Sequence, residues 1–163
     1  VNEHELRHGL KTFEGIRRRF DYRIKTENFV FIDDYAHHPM ELSTVIESVK
    51  RLYPNKRIVG VFQPHLYSRT MDFAQEFADS LLPLDEIILL DIYPAREKPI
   101  PGISSKTILH KINKMNKYLC GKEELSDVLL ALAPDVLITL GAGDIDTLVP
   151  TIEMAFNEEL EIK

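Results

Sequence analysis

Four short apolar runs set the rhythm of this chain: Phe29 to Ile32, Ile58 to Phe62, Ile87 to Leu90, and Val136 to Leu140. Each is four or five residues long, continuous rather than alternating, and rich in β-branched side chains, the pattern of strands covered on both faces. Between them the apolar spacing changes to three and four. Leu42, Val45, Ile46, Val49 and Leu52 form one stripe, and Phe73, Ala74, Phe77, Ala78 and Leu81 a second. Leu125, Val128, Leu129 and Leu132 form a third, so three amphipathic helices are predicted. Strands alternating with helices predict an α/β, Rossmann-like fold with a mostly parallel sheet and helices on both faces, because parallel neighbours need a crossover connection. Tyr118 to Cys120 reads as one more short strand and Ile145 to Phe156 as a closing helix.

The first residues follow a different pattern. Leu6, Leu10 and Phe13 make a single stripe, predicting a short amphipathic helix that stops at Gly15. A basic run, Arg17 to Arg19, leads to two β-like segments, Phe20 to Lys25 and Phe29 to Asp33, joined by a Thr-Glu-Asn turn. An antiparallel hairpin is therefore expected on the amino-terminal side of the sheet. The change of pattern puts a boundary near residue 20, with 1–20 a tail and hinge of some other unit and 21–163 the βα domain. A first residue of Val, with no start methionine, suggests a piece of a longer chain.

Composition narrows the function classes. At 163 residues, 44% hydrophobic and 28% charged, the chain can bury one substantial core. Its net charge of −6, with no long basic block, argues against a nucleic-acid or anionic-membrane surface. No segment approaches the roughly 20 apolar residues of a membrane span. The lone Cys120 excludes an internal disulfide and a zinc knuckle and fits a reducing, cytoplasmic compartment.

Ligands of open parallel sheets bind beyond the carboxyl ends of the strands, so the residues after each run carry the candidate chemistry. Asp33-Asp34-Tyr35-Ala36-His37-His38-Pro39 follows the first run, with Pro39 suited to the first turn of a helix. Two acids and two imidazoles there suit a hydroxylated, charged ligand, although either Asp could simply cap backbone amides. His37, His38 and His65 do not predict a metal centre, since adjacent histidines seldom point the same way and no cysteine assists. Gln63-Pro64-His65-Leu66-Tyr67-Ser68-Arg69-Thr70 follows the second run, where Arg69 offers a planar fork for a carboxylate or phosphate. Pairing with Asp72 or Glu76 is the plainer role for such an arginine, but a strand end favours the anion. Gly141-Ala142-Gly143-Asp144 could bring free amides to an anion or could simply make the turn. No G-x-x-x-x-G-K-S/T phosphate loop occurs in the 163 residues.

The segments D-D-Y-A-H-H-P, F-Q-P-H-L-Y-S-R-T, D-I-Y-P-A-R-E-K-P-I-P-G and G-A-G-D-I, in that order, closely resemble the carboxy-terminal domain of the Mur ligases. The match runs over nearly the whole chain and is nearest the member that adds the first amino acid. F-E-G-I-R-R-R-F looks like that family's junction with its central ATPase domain. The resemblance implies an amide-forming ligase of peptidoglycan synthesis that uses ATP and Mg2+ to join L-alanine to UDP-N-acetylmuramate through an acyl phosphate. It implies Arg19 facing the ATP phosphates and Asp34 the ribose side. Tyr35, His37, His65 and Arg69 would line the alanine end, with Arg69 holding the carboxylate. Catalytic groups would lie elsewhere in the longer protein, leaving this chain inactive alone, with a hinge between Gly15 and Phe20. Leu66 stands where some relatives carry a second arginine, so no role of that charge transfers. A peptide-recycling ligase of the same family and a non-catalytic Rossmann-like binding module are the alternatives.

Overall fold

A computed structural model of the chain describes residues 2–13 and 15–162; Val1, Glu14 of the junction motif, and Lys163 lie outside the described residues. Six strands form one mixed sheet. They are β1 (Asp21–Lys25), β2 (Val30–Asp34), β3 (Ile58–Phe62), β4 (Glu86–Leu89), β5 (Lys117–Leu119) and β6 (Val136–Leu140), in the spatial order β1-β2-β6-β3-β4-β5. β1 and β2 make the expected antiparallel hairpin, and every other pair is parallel.

Helix α2 (Pro39–Leu52), the pair α3 (Tyr67–Asp72) and α4 (Ala74–Leu81), and α5 (Ser105–Leu109) accompany β2 through β5. Leu42, Ile46, Val49, Phe77 and Leu81 from these helices bury against Val30, Ile32, Phe62, Ile87 and Ile138 of the sheet. The opposite face carries Phe31, Val59, Val61, Ile88 and Leu137, covered by Leu125 and Leu129 of α6 (Leu125–Leu132) and by Val149, Ile152 and Phe156 of α7 (Val149–Ile162). Strand residues therefore alternate between two apolar layers, which is why the runs are continuous in sequence.

Several strands are shifted by one residue from the sequence reading, and three helices are bounded differently. The second stripe is broken at Phe73, whose φ of −117° and ψ of 22° separate α3 from α4. The closing helix begins at Val149 rather than Ile145, because Asp144–Thr147 is a 3-10 turn whose Ile145 N–H is taken by the buried Gln63 side chain. The first helix, α1 (Glu3–Thr12), stops short of Phe13, which is extended. No residue of α1 is buried, and Leu6, Leu10, Phe13 and Ile16 are all more than half exposed. No helix among the described residues is long and apolar enough to cross a membrane.

Candidate functional site

The parallel ladder aligns the strand ends. Asp34 pairs with Leu140, Leu140 with Phe62, and Phe62 with Leu89, so the tails beginning at Tyr35, Gly141, Gln63 and Leu90 leave the sheet from one line. The chain turns to α2 and α3 on one face after β2 and β3, but to α7 on the other face after β6, which lies between them. Such a reversal opens the crevice in which doubly wound sheets bind ligands.

Three of the four residues expected at an amino-acid site form a chain of rings. The centroids of Tyr35 and His37 are 5.1 Å apart, those of His37 and His65 6.1 Å, and Tyr93 from the β4 tail stacks on His65 at 5.6 Å. His65 and Tyr93 also share a parallel bridge, with Leu66 N–H donating to the Tyr93 carbonyl and Tyr93 N–H to the Pro64 carbonyl. Leu66 itself has a φ of +73°, a costly conformation for a branched side chain, and this kink turns the chain from the His65 bridge into α3.

Arg69 completes the group. Among the described residues, three buried side-chain polar atoms lack a hydrogen-bond partner, and two of them, His65 Nδ1 and Arg69 Nη1, belong to this one tail. Burial, then the charge of Arg69 and then that of His37, hold the His65 imidazole below its ordinary pKa. A buried guanidinium N–H without an acceptor is costly, and a carboxylate is the acceptor that best fits its geometry. Neither Asp72 nor Glu76 forms an ion pair with it among the described residues.

Arg19 and Asp34 lie on the other side of the β2–α2 loop, lining an open groove of about 430 Å³ with His38, Met40 and Glu41. The adjacent histidines diverge, His37 toward His65 and His38 against Phe73 at 5.1 Å. Asp34 is only 5% exposed, and its two oxygens accept the N–H groups of Phe20 (2.7 Å) and Ala36 (2.8 Å). It is thus first a clamp between the linker and the loop, which leaves two lone pairs for any hydroxyl. Tyr35 stands between the two groups, since the Arg19 guanidinium lies 5.9 Å from its ring centroid. Glu41 fixes the loop by accepting the N–H groups of His37 and His38; burial pushes its carboxyl up, but those amides and the His37 charge outweigh it and hold the pKa low.

Sequence reasoning missed several supports. Gln63, 1% exposed, donates to Asp144 Oδ1 (2.8 Å) and accepts from Ile145 N–H (2.9 Å), while Lys122 donates to both Asp144 oxygens at 2.6 Å. The Gly141 and Gly143 requirement comes from this packing: a Cβ at 141 would meet the Gln63 carbonyl at 2.8 Å. Glu97, in the proline-rich tail, accepts the Ser68 N–H and hydroxyl at the start of α3; those bonds lower its pKa. Arg18, not Arg19, is the arginine that ties the linker to the sheet, and only its place in a basic run hinted at it. Among the described residues no three His, Cys, Asp or Glu side chains converge as metal ligands.

Residues 18–143 match the family model described as Mur ligase, glutamate ligase domain. The chain is 56% identical over 153 residues to the UDP-N-acetylmuramate–L-alanine ligase of Parabacteroides distasonis, covering 94% of this chain and 33% of the relative. It is 50% identical to the ligase of the same name from Christiangramia forsetii, covering 96% and 34%. Among solved structures it is similar to a UDP-N-acetylmuramate–alanine ligase of Thermotoga maritima, with a TM-score of 0.75, 26% identity, and 93% and 33% of the two chains covered. A murein peptide ligase of Psychrobacter arcticus shares the fold at a TM-score of 0.67 and 18% identity, covering 91% and 32%. The chain spans about a third of the length of the relatives it matches.

Proposed function

The chain belongs to the Mur ligase family, and we propose that it is the substrate-closing domain of an ATP-dependent ligase that joins L-alanine to UDP-N-acetylmuramate. The muramoyl carboxylate is activated as an acyl phosphate by ATP, with Mg2+, on parts of the longer protein outside this chain. The alanine amine then attacks the acyl carbon, a C–N bond forms, and phosphate leaves with the C–O electron pair. Alanine has almost no side chain to grip, so recognition rests on its carboxylate, which Arg69 holds while Tyr35, His37 and His65 wall the amine side. Arg19 and Asp34 face the nucleotide when the domains close. Residues 1–20 serve as the tail of the central domain and the hinge. The exposed stripe Leu6, Leu10 and Phe13 suits a surface that packs on that domain.

The observation that carries this reading is the pair of buried, unpartnered atoms, His65 Nδ1 and Arg69 Nη1, on one strand tail. The test is phosphate release by the complete ligase with ATP, Mg2+ and UDP-N-acetylmuramate. Release should require L-alanine, and the 163-residue chain alone should give none above background. Release driven by a preformed peptide but not by L-alanine would favour the recycling enzyme and overturn the proposal.

A further inference from the structure

Arg18 joins more parts of the site than any side chain assigned to a ligand above, yet is itself assigned to none of the proposed substrates. Its backbone is left-handed, with a φ of +59°; its N–H donates to Asp21 Oδ2 at 3.2 Å and its carbonyl accepts from Tyr35 N–H at 2.8 Å. Its side chain, 14% exposed, runs along the sheet end. Nε donates to Asp33 Oδ2 at 3.2 Å, Nη2 to the Gly141 carbonyl at 2.5 Å, and Nη1 lies 3.4 Å from Asp146. The guanidinium carbon sits 5.1 Å from the centroid of the Tyr35 ring. One planar cation thus bonds an acid on β2, a carbonyl after β6 and an acid in the 3-10 turn, and offers its face to an aromatic ring. A lysine can replace the charge but not the fork or the face.

We propose that Arg18 is a positioning residue for amino-acid recognition: it fixes the Tyr35 ring, at the head of the ring chain to His37 and His65, against the β6 turn. The inference rests on the reading of Tyr35, His37, His65 and Arg69 as the alanine end. Tyr35 is 37% exposed, and its ring lies against the guanidinium groups of Arg18 at 5.1 Å and Arg19 at 5.9 Å, the nearer of them tied to the sheet, so its direction is set mainly by Arg18. The ring touches His37 at 5.1 Å, so a displaced Tyr35 alters the wall of the pocket without altering Arg69. Asp33 is 2% exposed, and burial pushes its carboxyl up; the Thr139 hydroxyl and Arg18 oppose that shift without cancelling it.

The experiment is steady-state kinetics of the complete ligase with Arg18→Lys, alone and combined with Tyr35→Ala. Arg18→Lys should raise the KM for L-alanine roughly tenfold, the effect of losing one partly buried cation–π contact with some slack in the loop, and leave the KM for ATP within about twofold. With Tyr35→Ala already present, Arg18→Lys should add little, because the two act through one ring. An unchanged alanine KM beside a lowered thermal midpoint would overturn the inference and leave Arg18 a purely structural anchor; so would full multiplication of the two effects. If Arg18→Lys fails to fold, Arg18→Gln, which keeps a planar donor for the Gly141 carbonyl, is read by the same criteria. Arg69→Ala keeps the two levels apart. If that variant has an ordinary alanine KM, the alanine reading fails and this inference with it, whereas a raised KM there with none for Arg18→Lys sinks Arg18 alone.

Discussion

Gln63 and Gly143 are packed so closely that a Cβ on residue 143 would lie 2.3 Å from Gln63 Oε1 and 2.6 Å from the Tyr93 Cβ. The side chain cannot yield cheaply, because Gln63 is buried and bonded at both ends. Gly143→Ala should therefore destabilise the domain by about 1–3 kcal/mol, the usual cost of overpacking, seen as a lower denaturation midpoint at unchanged slope. Gly9→Ala, where nothing lies within 4 Å, is the control and should not lower the midpoint. Equal behaviour of the two variants would show that the turn after β6 is loosely packed.

Asp144 holds the other end of Gln63. Replacing it by Ala removes the acceptor for Gln63 Nε2 and the partner of Lys122, leaving a buried amide N–H unpaired. A cost of about 1–3 kcal/mol follows from the lost acceptor alone. Burial raises the Asp144 carboxyl, but Lys122 and Gln63 outweigh it and hold its pKa low. Asp144→Asn, which keeps an oxygen for Gln63 but not the charge, should recover most of the stability. If Asn does no better than Ala, the ion pair and not the buried amide is what matters.

The fold was legible because two-sided burial leaves a strong mark: Phe31, Ile32, Val59, Val61 and Leu137 are all essentially inaccessible, and their runs are too short and too β-branched for buried helices. The hairpin followed from the polar Thr-Glu-Asn turn between two β-like segments, and the mostly parallel sheet from the alternation of strands and helices, whereas the strand order emerged only in the structure. What stayed hidden has local causes that hydrophobic spacing does not record. Ile145 looked helical by apolarity, but its N–H is drawn to Gln63 from a different strand tail. α5 is five residues long and too short to show a stripe, and the break at Phe73 is a matter of one residue's dihedrals. In the site, residue type pointed to Arg69 and the histidines. Arg18 was hidden because three consecutive arginines look alike until tertiary contacts show which one turns inward. The glycines of the β6 turn left an anion site and a plain turn both open, and only the structure shows how closely Gln63 and Tyr93 pack against them.

Arg69 is set apart from the structural arginines by its unbonded Nη1. If it holds the alanine carboxylate as proposed, removing it takes away a charge-assisted bond, so Arg69→Ala should raise the alanine KM of the complete ligase by roughly 10- to 100-fold. The KM for ATP should stay within about twofold, and the thermal midpoint of the 163-residue chain should not fall. A marked loss of stability with unchanged kinetics would mean the guanidinium is paired within the fold.

His65 gives the site a pH signature. Its folded pKa is depressed from the ordinary 6.5, first by burial and then by Arg69 and His37, so the folded chain binds fewer protons here than the unfolded chain once pH drops below about 6.5. The sign follows: stability is whole above that value and is lost as pH falls toward the folded pKa. Glu41, Glu97 and Asp144, all held low, act in the same direction but only below about 4.5, outside a window of roughly pH 5.5 to 7.5. Asp33, pushed up, is common to both proteins compared and cancels in the difference. The thermal midpoint of the chain should therefore drop more between pH 7.5 and 5.5 than that of His65→Gln, which keeps polarity and cannot take the charge. Identical drops would mean that the imidazole between Arg69 and His37 is free to protonate, and the electrostatic picture of the pocket would have to be abandoned.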